Sequence, residues 1–237
     1  MNWLAFDTST DVLAIAVSRG ERVWSHRSAG GAQASLDGLP TIRRLMDEAG
    51  LGWRDLSAIV MGRGPGAFTG LRTACAMAQG LAWGAGLPVL PIDTLLAVAE
   101  QARHAHATEP GVERVLAVND ARMGQVYVAA YEHRADGWHT VAESALLAPE
   151  AVQAPVAWQG QAFCLAGNAW TEHGARLLPH AAAPRLPAWP DAQALLRLAP
   201  QAWALGQAVP PEQALPLYVR DKVAQTTAER ELARVSA

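Results

Sequence analysis

The chain has 237 residues, a formal net charge of −3, 51% apolar residues and 17% charged residues, which excludes a disordered chain and provides a core for one large domain or two small ones. The acidic balance excludes a free-standing nucleic-acid binder, which needs a concentrated basic face, so any RNA contact has to be shared with a partner. Two distant cysteines, Cys75 and Cys164, exclude a disulfide framework and a cysteine-based zinc site and fit a reducing cytosol.

From Met1 the chain runs straight into a strand-like stretch, without a basic segment followed by a long apolar one, so a cytoplasmic location is expected. Residues 2–6, 12–18 and 22–26 read as three strands separated by turn chemistry at 7–11 and 19–21, an antiparallel meander. A Gly/Ala linker near 29–34 leads into a helix with Leu39, Ile42, Met46 and Ala49 expected on one face and Gly50 closing it. A buried strand at 56–61, a glycine-rich turn, a long helix at 67–85, a strand at 87–92 and a helix from Thr94 complete the order βββαβαβα. The uncharged run between Arg72 and Asp93 is about as long as a bilayer is thick. Gly80, Gly84, Gly86, Pro88 and Pro91 break it into helix, turn and strand, so no membrane segment is expected.

A weaker copy of the opening follows, with residues 116–120 echoing 4–8. Strands at 125–131 and 138–147 complete a second meander, a strand is expected at 162–166, a loop at 179–190 and a helix at 192–205. This repetition predicts an α/β protein of two related lobes. The second, 106–212, is smaller than the first, 1–105, once the returning residues 213–237 are counted with the first. Residues 213–237, with a strand-like piece at 217–219 and a charged helix-like end, are expected to return to the first lobe.

The glycine-rich stretch Gly62-Arg63-Gly64-Pro65-Gly66-Ala67-Phe68-Thr69-Gly70 lies between a predicted strand and a predicted helix. It lacks the lysine of a Walker loop and the spacing of a dinucleotide-binding loop, and Pro65 removes an amide from any anion cradle. Two readings stand: a phosphate contact through Gly64 and Gly66, or a tight turn whose glycines permit unusual backbone angles and close packing. The helix that follows is apolar almost all round, with Arg72 and Gln79 as its main polar members, as expected of a helix covered by its own sheet and by another body, such as a second chain. The alternative is that both helices of this lobe merely cover the sheet.

Asp7, at the end of the first strand, is where a magnesium-binding carboxylate would stand, with Asp11, Glu48 and Asp93 as further acids. The loop Thr8-Ser9-Thr10 lacks a glycine for phosphate approach, and a capping or turn role is the other reading of Asp7. The seven histidines, His104-Ala105-His106 included, form no zinc motif and are expected at the surface, and no local signature of a nucleophilic enzyme is present.

Three blocks carry a family likeness: Leu4-Ala5-Phe6-Asp7-Thr8-Ser9, the stretch from Ala58-Ile59-Val60-Met61 through the glycine-rich turn to Leu71-Arg72, and Leu217-Tyr218-Val219-Arg220-Asp221-Lys222. With these, the chain resembles the TsaB family, accessory subunits of the bacterial machinery that makes threonylcarbamoyladenosine in tRNA. The resemblance implies two ribonuclease-H-like lobes of the actin-like ATPase superfamily, the second degenerate. It also implies a subunit without chemistry of its own, pairing with the catalytic relative TsaD and the ATPase TsaE. TsaD passes the threonylcarbamoyl group of an adenylate to the exocyclic amine of the adenosine beside the anticodon, in tRNAs reading codons that begin with A. No intrinsic cofactor is implied, ATP being used by a partner, and tRNA is met through the complex only.

TsaD-like proteins hold metal through an H-x-x-x-H pair on their first long helix, and residues 34–49 contain no histidine. The family's dimer surface, built from the two helices of the first lobe, maps onto Leu39, Ile42, Arg43, Met46, Thr73, Met77 and Gly80, and a homodimer through the same face is compatible with it. The chain departs from relatives at Ala34, often a histidine, and at Thr73-Ala74-Cys75, more usually Ile-Gly-Val. The rival reading is an actin-like phosphotransferase or hydrolase using Asp7 and the glycine loop with Mg-ATP. A metallopeptidase is disfavoured by the lack of a metal pair.

Overall fold

The computed structural model describes residues 1–109, 111–177 and 182–220. Strands β1 (Asn2–Asp7), β2 (Val12–Arg19) and β3 (Arg22–Ala29) form the antiparallel meander, and β4 (Ala58–Gly62) and β5 (Val89–Ile92) join parallel to β1, giving the order β3-β2-β1-β4-β5. This is the ribonuclease-H-like arrangement. Because side chains alternate across a strand, β1 sends Leu4 and Phe6 to one side of the sheet and Trp3 and Ala5 to the other, and both sides are buried. At the sheet edge β3 alternates half-buried Trp24, His26 and Ser28 with exposed neighbours.

Helices α1 (Ala32–Ala49) and α2 (Phe68–Ala85) cover the Leu4–Phe6 side. The helical period sets Ile42, Leu45, Met46 and Ala49 of α1 against the sheet. Leu39 falls off that stripe and faces outward, unlike the sequence expectation, and Leu45 takes its place inside. Each helix ends on a left-handed glycine, Gly50 and Gly86, whose amides close the last turn.

The second sheet repeats the plan. Strands β6 (Arg114–Asp120), β7 (Val126–Arg134) and β8 (Gly137–Leu147) form the meander, and β9 (Cys164–Gly167) and β10 (Arg185–Pro187) add parallel to β6, in the order β10-β9-β6-β7-β8. Its helices are reduced: among the described residues no α-helix stands between β8 and β9, and only one turn, α4 (Trp170–His173), between β9 and β10. The loss of these covers is the degeneracy expected of the second lobe. Strand β10 lies inside the stretch expected to be a loop, and residues 217–219, expected to be strand-like, form no ladder. The charged end at 221–237 lies outside the described residues.

The helices α3 (Thr94–Ala105) and α5 (Ala192–Ala204) pack on each other between the sheets, α5 against β1 and α3 against β6. Each therefore lies on the other half's sheet, and one apolar cluster runs through both halves. A buried acid interrupts it. Glu100, 3% exposed, accepts from Trp138 Nε1 at 2.9 Å and Arg197 Nε at 2.6 Å, with Arg103 at 3.2 Å. Burial alone would raise its pKa, and the hydrogen bonds and cations outweigh it, leaving the carboxyl below its ordinary value. Among the described residues no helix is long and apolar enough to cross a membrane.

Candidate partner-docking face and inter-lobe cleft

The glycine-rich stretch is a turn packed to contact on both sides. Gly64 has φ +111°, and a β-carbon there would stand 2.8 Å from the Leu217 carbonyl oxygen. A β-carbon on Gly66 would press on Ser9 and one on Gly70 on the Thr8 carbonyl. Three of the turn's amides serve the fold: Arg63 N donates to Ile92 O at 2.8 Å, Gly64 N to Thr94 Oγ1 at 3.1 Å, and Ala67 N to Ser9 O at 2.7 Å. Such pairing favours the tight-turn reading, because an anion cradle needs its amides turned toward the ligand.

Asp7 is wholly buried. Its Oδ1 accepts from Ser9 N at 2.7 Å and Ser9 Oγ at 2.5 Å, and its Oδ2 from Thr94 Oγ1 at 2.8 Å. Burial pushes its carboxyl pKa up, against a downward pull from the Ser9 and Thr94 hydrogen bonds. The other acids of the magnesium reading lie apart: Asp11 is exposed, Glu48 pairs with Arg44, and Asp93 pairs with Arg63. Among the described residues no three His, Cys, Asp or Glu side chains are grouped to hold a metal ion.

Above the glycine turn, a cleft of about 590 Å³ separates the lobes, with Ser9, Gly66 and Phe68 on one wall and Asn119, Asp120 and Arg122 on the other. Tyr127 Oη reaches across it to the Gly66 carbonyl at 3.4 Å. Asp120 ends β6 as Asp7 ends β1, and it organises the far wall. It bonds His173 Nε2 at 3.0 Å, takes the Arg122 amide at 2.9 Å, and lies 3.2 Å from the Arg122 guanidinium. His173 is buried, contrary to the expectation of surface histidines, because α4 turns it inward onto this carboxylate. Sequence reading noted the β6 echo of β1 and missed this cluster, whose histidine lies 53 residues further on.

The α1–α2 surface is the other candidate. A shallow groove between the helices is lined by Ser35, Leu39, Phe68, Arg72, Thr73 and Met77. Leu39 is 50% exposed, Arg43 and Gly80 are exposed, Thr73 and Met77 are half-buried, and nothing stands within 4 Å of where a Gly80 β-carbon would be. Ser35 and Thr73 hydroxyls meet across the groove at 3.4 Å. Two residues assigned to this surface by resemblance are corrected: Ile42 (0% exposed) and Met46 (2%) sit on the sheet-facing stripe of α1 and belong to the core. The turn at the foot of α2, with Phe68 and Arg72, was not among the expected contacts, although its place at the start of an apolar helix could have suggested it.

The sequence model of the TsaD family, described as tRNA N6-adenosine threonylcarbamoyltransferase, matches residues 33–176. The chain is 35% identical to the tRNA threonylcarbamoyladenosine biosynthesis protein TsaB of Escherichia coli, over 94% of this chain and 96% of that one. It is 32% identical to the protein of the same name from Haemophilus influenzae, over 93% and 94%. The solved structure of YeaZ from Pseudomonas aeruginosa superposes with a TM-score of 0.83 at 37% identity, covering 92% of this chain and 99% of that one. The chain belongs to the TsaB family.

Proposed function

We propose that this chain is a non-catalytic scaffold in the modification of tRNA to threonylcarbamoyladenosine at the adenosine beside the anticodon. It pairs through the α1–α2 face with a TsaD-type catalytic subunit, works with a TsaE-type ATPase, and meets tRNA in the cytoplasm only through that complex. Of the described residues, 1–105 with 213–220 belong to the docking lobe and those within 106–212 to the second lobe. No cofactor is assigned to the chain itself, ATP being used by a partner.

The observation that carries this reading is the contrast between two surfaces of the first lobe. Of the atoms an actin-like phosphotransferase would turn to Mg-ATP, the Asp7 carboxylate and the amides of Arg63, Gly64 and Ala67 are engaged inside the fold. The α1–α2 groove meanwhile presents Leu39 and Met77 at the surface, as a docking face of standard size, about 800 Å² per partner, requires. A second copy of the chain fits the same face, so a homodimer and the heteromer are alternative pairings.

The test is reconstitution with the TsaD-type and TsaE-type subunits, the threonylcarbamoyl-adenylate synthase and tRNA. Modification is expected to fall to background when this chain is omitted and to survive Asp7→Asn. Full-rate modification without the chain would refute the scaffold reading, and loss of activity in a folded Asp7→Asn variant would favour the phosphotransferase.

A further inference from the structure

One segment, residues 214–220, ties the docking face to the far wall of the cleft. The Ala214 carbonyl accepts from Cys75 Sγ at 2.9 Å and Gln79 Nε2 at 3.2 Å, both on α2. Leu217 N donates to Arg63 O at 2.7 Å. Tyr218 then lies on the first turn of α2, its ring 5.5 Å from that of Phe68 and its Oη accepting from Arg72 Nε at 3.3 Å, while the Arg72 guanidinium stands 3.8 Å over the Phe68 ring. Arg220 reaches the second lobe, where Nη2 donates to Ala121 O at 2.9 Å and Nη1 lies 3.3 Å from Met123 Sδ.

The turn that Arg220 grips is strained. Arg122 and Met123 have φ of 63° and 55°, and Gly124 follows at 71°. Consecutive left-handed residues are usual in a tight hairpin turn, here closed by Gln125 N to Arg122 O at 3.1 Å and Arg122 N to Asp120 Oδ1 at 2.9 Å, but residues other than Gly and Asn make them costly, and such segments concentrate at binding and switching elements.

We propose that residues 214–220 are a relay by which a partner seated on the α1–α2 groove tightens the Arg122–Met123 turn across the cleft, with Tyr218 as its positioning residue and Arg220 as its clasp. The proposal rests on the docking reading above and adds a regulated element to it. Phe68 and Arg72 line the groove beside Leu39 and Met77, so a partner there touches the two side chains that seat Tyr218. Seated, the strap gives the Ala121 carbonyl a guanidinium donor; lifted, it leaves the left-handed run without that hold. Phe68 and Tyr218 are 37% and 46% exposed. Ala214, 0% exposed, anchors the strap in the first-lobe core, while Tyr218 beyond it is exposed, so a partner's contacts can bias two positions of the Tyr218–Arg220 end. Leu217, Tyr218, Val219 and Arg220 also line the cleft, so its wall moves with them.

The experiment measures amide hydrogen exchange at residues 121–125 of the full chain, alone and with the TsaD-type subunit, beside calorimetric affinity. The partner is expected to slow exchange there about tenfold, within the usual range of coupling between sites. Tyr218→Phe, which keeps the ring on Phe68, retains that added protection, and Tyr218→Ala loses it. Arg220→Gln abolishes it while partner affinity stays within about threefold of wild type, a combination that a merely structural role for Arg220 does not produce. Partner binding at full affinity with unchanged exchange in the wild type, or protection that survives Arg220→Gln, overturns the relay and leaves the docking reading standing. Absence of partner binding by the wild-type chain defeats the docking reading and the relay with it.

Discussion

Asp7 and Gly62 are packed so closely that the Asp7 carboxylate occupies the space a β-carbon on Gly62 would need. The two residues end neighbouring parallel strands, β1 and β4. The buried acid is therefore locked from three sides, by the Ser9 turn, by Thr94 at the start of α3, and by a bare backbone. Gly62→Ala is expected to destabilise the protein by about 1–3 kcal/mol, as overpacking a fixed site does, read as a lower urea midpoint at unchanged slope. An unaffected midpoint would show that the Asp7 pocket yields.

The same lock sets how Asp7 responds to pH. Burial raises its pKa above the ordinary 3.8, so the folded state holds its proton more tightly than the unfolded state. The charged carboxylate thus costs stability at neutral pH, and the cost is relieved as pH falls through the raised value toward 3.8. Asp7→Asn keeps an acceptor for Ser9 and offers Thr94 a donor, so it should match or exceed wild-type stability at pH 7. That advantage should shrink on acidification, which denaturant titrations of both proteins at pH 7 and pH 4 will check.

Glu100 behaves in the opposite sense. Its pKa is depressed below the ordinary 4.5, so its stabilisation is present above that value and lost as pH falls through the lower folded-state one. Glu100→Gln leaves Arg197 without its buried counter-charge and should cost about 3 kcal/mol at pH 7. The difference from wild type should narrow steadily below pH 4.5. A pH-independent difference would mean that packing against Trp138, rather than charge, is what the substitution disturbs.

The strands of both meanders and the element order of the first lobe were legible in the sequence because alternation and turn residues are local signals. The glycine turn could be located but its role could not be decided, since whether amides face a ligand or the fold depends on Ser9, Ile92 and Thr94, which lie far away in sequence. On α1, Ile42, Met46 and Ala49 share the expected face, and Leu39 alone of the four leaves it. Leu39, Ile42 and Met46 share a spacing compatible with one stripe, and only the presence of Leu45 inside settles which way the helix is turned. The Asp120–His173 pair and the Arg220 contacts join residues 53 and 99 apart, and no periodicity in the sequence reports such distances.

The corrected face separates two substitutions on neighbouring helices. Met77→Glu places a charge on a half-buried position of the groove and, because Met77 also packs on the first-lobe core, should cost about 1–2 kcal/mol without preventing folding. It should weaken partner binding by at least about 30-fold, the effect of losing an interface hot spot. Ile42→Asp buries an unpaired acid beneath the sheet and should prevent folding. Circular dichroism and partner titration of the two variants will distinguish them, and intact pairing in folded Met77→Glu would move the docking face elsewhere.

The most direct test of the scaffold reading is light-scattering size exclusion of the chain mixed with the TsaD-type subunit from the same organism. The account predicts a new species containing one copy of each, absent with Met77→Glu. Separate elution of the two wild-type proteins, with and without tRNA and ATP, would contradict it.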